Sequence, residues 1–107
     1  MEKVNILYKP DVEEFLFHLV FVLFKEDYFS YLENAEVYKD NIIDFVENNI
    51  KNFPSKKTPI PLNNFGSNYI FYNSNSRTTW YVFFEQKGTN YLITNILNNH
   101  CEEAKWL

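Results

Sequence analysis

Two histidines, one cysteine and fourteen acids are among the side chains of this sequence that could move a proton or attack a bond. His100 is the first of them to weigh. It closes the last β-rich run, Asn90 to Leu97, through Asn98-Asn99-His100. A neutral imidazole near pH 7 can accept or donate a proton, so His100 is a candidate general acid or base. It is equally a strand-end histidine bonded to a backbone carbonyl or to Asn98. Cys101 follows it, but neighbours on a strand point to opposite faces, so no Cys–His dyad is expected. Arg77, the sole arginine, sits in the turn before the run Thr78 to Glu85. Glu85 ends that run and is either a base or a solvated acid beside the turn Gln86-Lys87-Gly88-Thr89. Lys51, Lys56 and Lys57 form the one basic cluster. They read as a solubilising loop or as a local contact to phosphate or to an acidic partner. His18 reads as a core or boundary histidine. Glu33, Glu36, Asp40, Asp44 and Glu47 read as a solvated helix face. Only Gly66 and Gly88 are present, which excludes a glycine-rich phosphate loop. One cysteine excludes an internal disulfide and a cysteine zinc cluster. With no histidine pair at ligand spacing, no metal and no cofactor are expected.

These residues must be positioned by a short list of elements. Val4-Asn5-Ile6-Leu7-Tyr8 alternates and predicts a strand, ended by Pro10. Asp11 with Glu14 has capping-box spacing and predicts a helix start. Val12, Phe15, Leu16, Leu19, Val20 and Leu23 share one face of that helix, and Phe17, Phe21 and Phe24 widen it. Such a helix is expected to be buried on more than one side. Ser30 with Glu33 starts a second helix. Its stripe is Tyr31, Ala35, Tyr38, Ile42, Phe45, Val46 and Ile50, and the pair should form an antiparallel hairpin. Pro54, Pro59 and Pro61 make residues 52–66 a linker, too rich in proline for helix or central strand. Three aromatic strands in a meander follow, at Tyr69–Tyr72, Thr78–Glu85 and Asn90–Leu97. The turn between the last two offers Gly88 for a positive φ. The middle strand is apolar on both faces: Trp80, Val82 and Phe84 on one, Tyr81 and Phe83 on the other. The helices should cover one side, and other chain or a partner part of the second. The fold class is α+β: a strand, an antiparallel helical hairpin, then a three-stranded antiparallel meander packed on the helices.

At 107 residues the chain is one domain, residues 1–107. Aromatics make up 20% of it, enough large apolar area to hold a small fold without staples. Residues 1–50 hold eleven acids and four lysines, whereas 51–68 hold three lysines and no acid. A broad basic face of the kind that binds nucleic acid through its phosphates is therefore absent. No basic segment followed by an apolar core opens the sequence, so no signal peptide is expected. The longest apolar stretch, Phe15 to Phe24, is about half of the roughly 20 residues a membrane span needs. A reducing cytoplasm fits these features, with no membrane partner.

The order β-α-α-β-β-β, with His100 at the end of the last strand, resembles the RelE/ParE superfamily of toxins from toxin–antitoxin modules. The resemblance spans nearly the whole chain. It rests on Val4–Tyr8, residues 11–51, Tyr69-Ile70-Phe71-Tyr72 and Ile93-Thr94-Asn95-Ile96-Leu97-Asn98-Asn99-His100. The run Arg77-Thr78-Thr79-Trp80-Tyr81-Val82-Phe83-Phe84, with Tyr91-Leu92-Ile93, is similar to a branch known as plasmid-stabilisation toxins. The resemblance implies a type II toxin held by a cognate antitoxin, with the ribosome and its mRNA or DNA gyrase as the target. If the chain is an enzyme, the resemblance implies a ribosome-dependent mRNA endonuclease. His100 would then move the proton between the ribose 2′-OH and the leaving 5′-oxygen, with Arg77, Lys56 and Lys57 near the phosphate and Glu85 as a base. Tyr81, Lys56 and Lys57 would meet the target. Tyr69 stands where the RNA-cleaving branch has arginine, and Cys101 where some relatives have tyrosine. These departures favour a binding toxin or an altered active site. The alternative is a non-toxic protein–protein interaction module on the same scaffold.

Overall fold

The computed structural model describes residues 4–25, 32–52, 55–74 and 78–107, with the backbone alone for 21–25 and 32–35. The expected cap at Ser30, the stripe residues Tyr31 and Ala35, and Arg77 lie outside the described residues or side chains. The elements run β1 (Asn5–Tyr8), α1 (Pro10–Lys25), α2 (Leu32–Asn49), β2 (Lys56–Lys57), a 3-10 helix (Ile60–Phe65), β3 (Asn68–Asn73), β4 (Thr79–Lys87), β5 (Asn90–Asn98) and a second 3-10 helix (Glu102–Trp106). The fold is α+β. Its mixed sheet has the order β1-β5-β4-β3-β2. β1 runs parallel to β5, and the other pairs are antiparallel.

The helix start differs from the capping-box expectation. α1 begins at Pro10, and the N–H groups of Val12 and Glu13 both reach the Lys9 carbonyl. Proline's fixed φ suits the first helical position, where its missing N–H costs nothing. Asp11 instead lies in the first turn, where a carboxylate opposes the helix dipole. Val12, Leu16, Leu19 and Val20 are buried, whereas Phe17 is 63% exposed and Phe15 37%. α1 is therefore not buried on more than one side through Phe17. At 100° per residue, Phe17 falls a quarter-turn off the stripe that meets the sheet. His18 is likewise no core residue. Its side chain is 62% exposed and pairs with Glu14 one turn back, at 3.5 Å. On α2 the expected stripe holds at Ile42, Val46 and Ile50, with Glu36, Asp40, Asp44 and Glu47 exposed.

The helices cover one face of the sheet. Val12, Leu16, Leu19, Ile42, Val46 and Ile50 pack with Ile70, Trp80, Val82, Phe84, Tyr91, Ile93 and Ile96. Trp80 donates its indole N–H to the Tyr38 hydroxyl at 2.9 Å, so its one polar atom is satisfied inside the apolar layer. The chain itself covers part of the second face. Leu62, Tyr69, Phe83 and Leu97 form another buried cluster, with Phe65, Tyr81, Ala104 and Leu107 against it. That cover comes partly from the segment expected to be a structureless linker. Pro61 sits at the start of its 3-10 helix, where proline is tolerated, so the prolines begin this helix rather than forbid it.

A β-bulge keeps the two faces consistent. Phe83 pairs with Asn95 and Phe84 with Ile93, leaving Thr94 as the extra residue on β5. Strict alternation would send Ile96 to the face opposite Ile93. The bulge returns both to the helix side. The Ile96 N–H is satisfied by Asn95 Oδ1 at 2.8 Å.

Candidate functional site

The second face carries a hollow of about 230 Å³ over β2, β3 and β4. It follows from strand periodicity. Tyr69, Phe71 and Asn73 are alternate residues of β3, and Thr79 and Tyr81 of β4, so all five project to one face. The register sets Phe71 opposite Tyr81 and Asn73 opposite Thr79. Lys56 arrives from β2 opposite Tyr69, and Leu107 closes one side.

Aromatic rings make the floor. Tyr69 meets Tyr81 edge-on with centroids 6.0 Å apart, and is tilted on Phe83 at 5.5 Å. The Lys56 ammonium lies 5.4 Å from the Phe71 ring centroid, within cation–π range. At the rim the Thr79 hydroxyl donates to Asn73 Oδ1 at 2.6 Å. Burial, and secondarily the neighbouring Tyr81, pushes the Tyr69 phenol above its usual 10.0. Neither Tyr69 as a neutral phenol nor the amide and hydroxyls at the rim is a proton acceptor of useful strength near pH 7. Among the described residues no carboxylate, imidazole or thiol side chain lines the hollow. One cation, edge-on and tilted rings and a polar rim equip it to grip a flat or anionic group rather than to cleave one.

The expected site residues are dispersed. Lys56 and Tyr81 meet in the hollow, but Lys57, His100 and Glu85 are absent from its lining. Lys57, the neighbour of Lys56 on a two-residue strand, projects to the other face. His100 lies just past β5 in a turn fixed by Asn98, whose Oδ1 accepts the His100 N–H at 2.9 Å. Its Nε2 is 3.3 Å from the hydroxyl of half-buried Thr78. Cys101 is an exposed free thiol directed at Asn98 Oδ1, at 3.7 Å, and not at the imidazole. Glu85 accepts the Ser67 N–H at 3.0 Å and so serves a loop. Glu85 lies six residue steps along β4 from Thr79, roughly 20 Å of strand, so Glu85 and His100 sit at opposite ends of the sheet. They cannot share a proton. Among the described residues no cluster of His, Cys, Asp and Glu is placed to hold a metal ion, and no helix is long and apolar enough to cross a membrane.

Sequence reasoning passed over Tyr69, Phe71, Asn73 and Thr79 as a group. Their period-two spacing was a signal, but the pairing of β2 with β3 that adds Lys56 was not visible.

A pH dependence follows from the phenols. Tyr8, at the end of β1, donates to Glu47 Oε1 at 3.1 Å. Burial first, then the Glu47 charge and that bond, pushes its phenol far above 10.0. The folded phenols of Tyr8 and Tyr69 keep protons that the unfolded ones release above 10.0. The stabilisation is whole below that pH and is lost as pH climbs towards the folded values. Thermal melting should therefore drop steeply above pH 10.0, and the drop should flatten in the Tyr8→Phe, Tyr69→Phe double variant. An equally steep drop in the double variant would assign the alkaline sensitivity to other groups.

No family model matches this chain, and neither does any curated protein or solved structure.

Proposed function

We propose that this chain is the toxin of a bacterial type II toxin–antitoxin pair, RelE/ParE-like, acting in the cytoplasm. It inhibits growth by gripping an essential target, the translating ribosome with its mRNA or DNA gyrase, with the second face of its sheet. A cognate antitoxin silences it by covering that face or the helices. The observation that carries this reading is the hollow, where Lys56 and Tyr81 converge in a chain whose elements run strand, two helices, then a meander. The hollow's lining and the separation of His100 from Glu85 favour binding over mRNA cleavage. The same aromatic lining supports the second reading, a non-toxic protein–protein interaction module.

Induced expression of the chain alone should arrest bacterial growth. Lys56→Glu should weaken target binding by at least about tenfold and relieve the arrest, because it reverses the charged side chain of the hollow. Tyr81→Ala should relieve it as well, and His100→Ala should not. Normal growth with well-folded protein would leave the interaction module in place of the toxin. Relief by His100→Ala alone would return the site to the end of β5 and to catalysis.

A further inference from the structure

Among the described residues no strand lies beyond β1, which forms one edge of the sheet. In its parallel ladder the Asn5 N–H reaches the Thr89 carbonyl and the Lys9 N–H the Ile93 carbonyl, each at 3.0 Å. Alternate residues of a parallel strand direct both backbone groups to the same side. Asn5, Leu7 and Lys9 therefore face β5, and the N–H and C=O groups of Ile6 and Tyr8 face outward. Two apolar features flank that outward row. On the helix side is a hollow of about 220 Å³ lined by Tyr8, Glu13, Leu16, Phe17, Lys39 and Ile43. On the other side Leu7 is 65% exposed.

We propose that β1 is a docking edge at which an extended, basic segment of a partner polypeptide adds as a sixth strand. Extended backbone supplies donors and acceptors at the repeat that Ile6 and Tyr8 present. Its alternate side chains would fall on one side into the hollow beside Leu16 and Ile43, and on the other beside Leu7. Charge selects the partner. Residues 1–50, which hold β1 and both helices, carry eleven acids against four lysines. Glu13 lines the hollow, and Lys39 is already held by Asp40 at 2.8 Å. Glu13, and Glu47 bonded to the Tyr8 hydroxyl, set carboxylates beside this edge, so lysine or arginine along an incoming strand would be drawn in, whereas a second copy's Asn5–Tyr8 offers neither. β5 and β4 separate this edge from β3, about 14 Å at three strand spacings, so occupancy here does not require the hollow on the second face.

The test uses a synthetic peptide about ten residues long that alternates valine and lysine. It should bind the full chain and slow hydrogen exchange at the Ile6 and Tyr8 amides. Replacing its lysines by glutamates should weaken binding by at least about tenfold, the sum of a few screened charge pairs. N-methylation of alternate peptide amides should abolish binding, because it removes the ladder donors. Leu7→Lys, a charge placed on an exposed edge position, should weaken binding with no change in melting temperature. No binding, binding indifferent to N-methylation, or protection at Lys56 and Lys57 in place of Ile6 and Tyr8 would each overturn the proposal. So would protection of these amides by the chain alone at rising concentration, which would make the occupant a second copy.

Discussion

Phe83→Ala is expected to cost about 4 kcal/mol of folding stability, read from the shift of the denaturant midpoint at unchanged slope. Phe83 is fully buried on the second face, with Phe65 edge-on at 5.5 Å and Tyr69 tilted at 5.5 Å. Removing the ring leaves a cavity that two 3-10 segments and a rigid sheet have little freedom to fill. For a domain of this size such a loss is a large share of the total. Tyr81→Ala, at a half-buried position in the same layer, should cost clearly less. If Phe83→Ala costs no more than about 1 kcal/mol, the second face is not a core and its cover is loosely held. The distinction matters for function. A firm layer under Tyr69 presents the hollow in one shape, whereas a loose one would leave Lys56 and Tyr81 without a fixed relation.

Gly66→Ala should cost about 3 kcal/mol, combining an unfavourable backbone angle with a clash. Gly66 ends the first 3-10 helix at φ 154°, a conformation that side chains rarely adopt. A Cβ there would run into the Thr94 hydroxyl and lie 3.1 Å from both Phe83 Cβ and the Phe84 nitrogen. Thr94 is not free to yield, because its hydroxyl donates to the Phe65 carbonyl. Gly88 is the internal control. It has φ 61° in the β4–β5 turn but nothing within 4 Å of a would-be Cβ. Gly88→Ala should therefore cost only the backbone strain, about 1 kcal/mol. Equal losses at the two glycines, measured by chemical denaturation, would mean that the close approach at Gly66 contributes nothing.

Local physics made much of this fold legible in the sequence. The α2 stripe at Ile42, Val46 and Ile50 follows helical spacing. Trp80, Val82 and Phe84 alternate with Tyr81 and Phe83, and Gly88 marks the tight turn. Each of these depends on residues a few positions apart, so the chain itself sets the outcome. The first strand, the two helices and the three strands of the meander are all present, the strands within two residues of their expected limits. Phe17 and His18 were misplaced because an apolar run does not say which quarter of a helix meets a sheet.

What only the tertiary structure decided depends on residues far apart in the chain. The pairing of Lys56 with Tyr69 turns a basic linker into an edge strand and puts one ammonium over Phe71. The bulge at Thr94 reconciles Tyr91, Ile93 and Ile96 on a single face, although their spacing breaks the period of two. The bulge belongs to the partner strand's register and to the Phe65–Gly66 corner as much as to β5. The candidate residues divide in the same way. The sequence by itself determined that His100, Arg77, Glu85, Tyr81, Lys56 and Lys57 were the groups with chemistry to offer. The antiparallel register of β4 and β5 set Glu85 and His100 at opposite ends of the sheet, and the β2–β3 pairing drew Lys56 to Tyr81. A side chain's identity is local, but its neighbours across a sheet are fixed only when the strands pair.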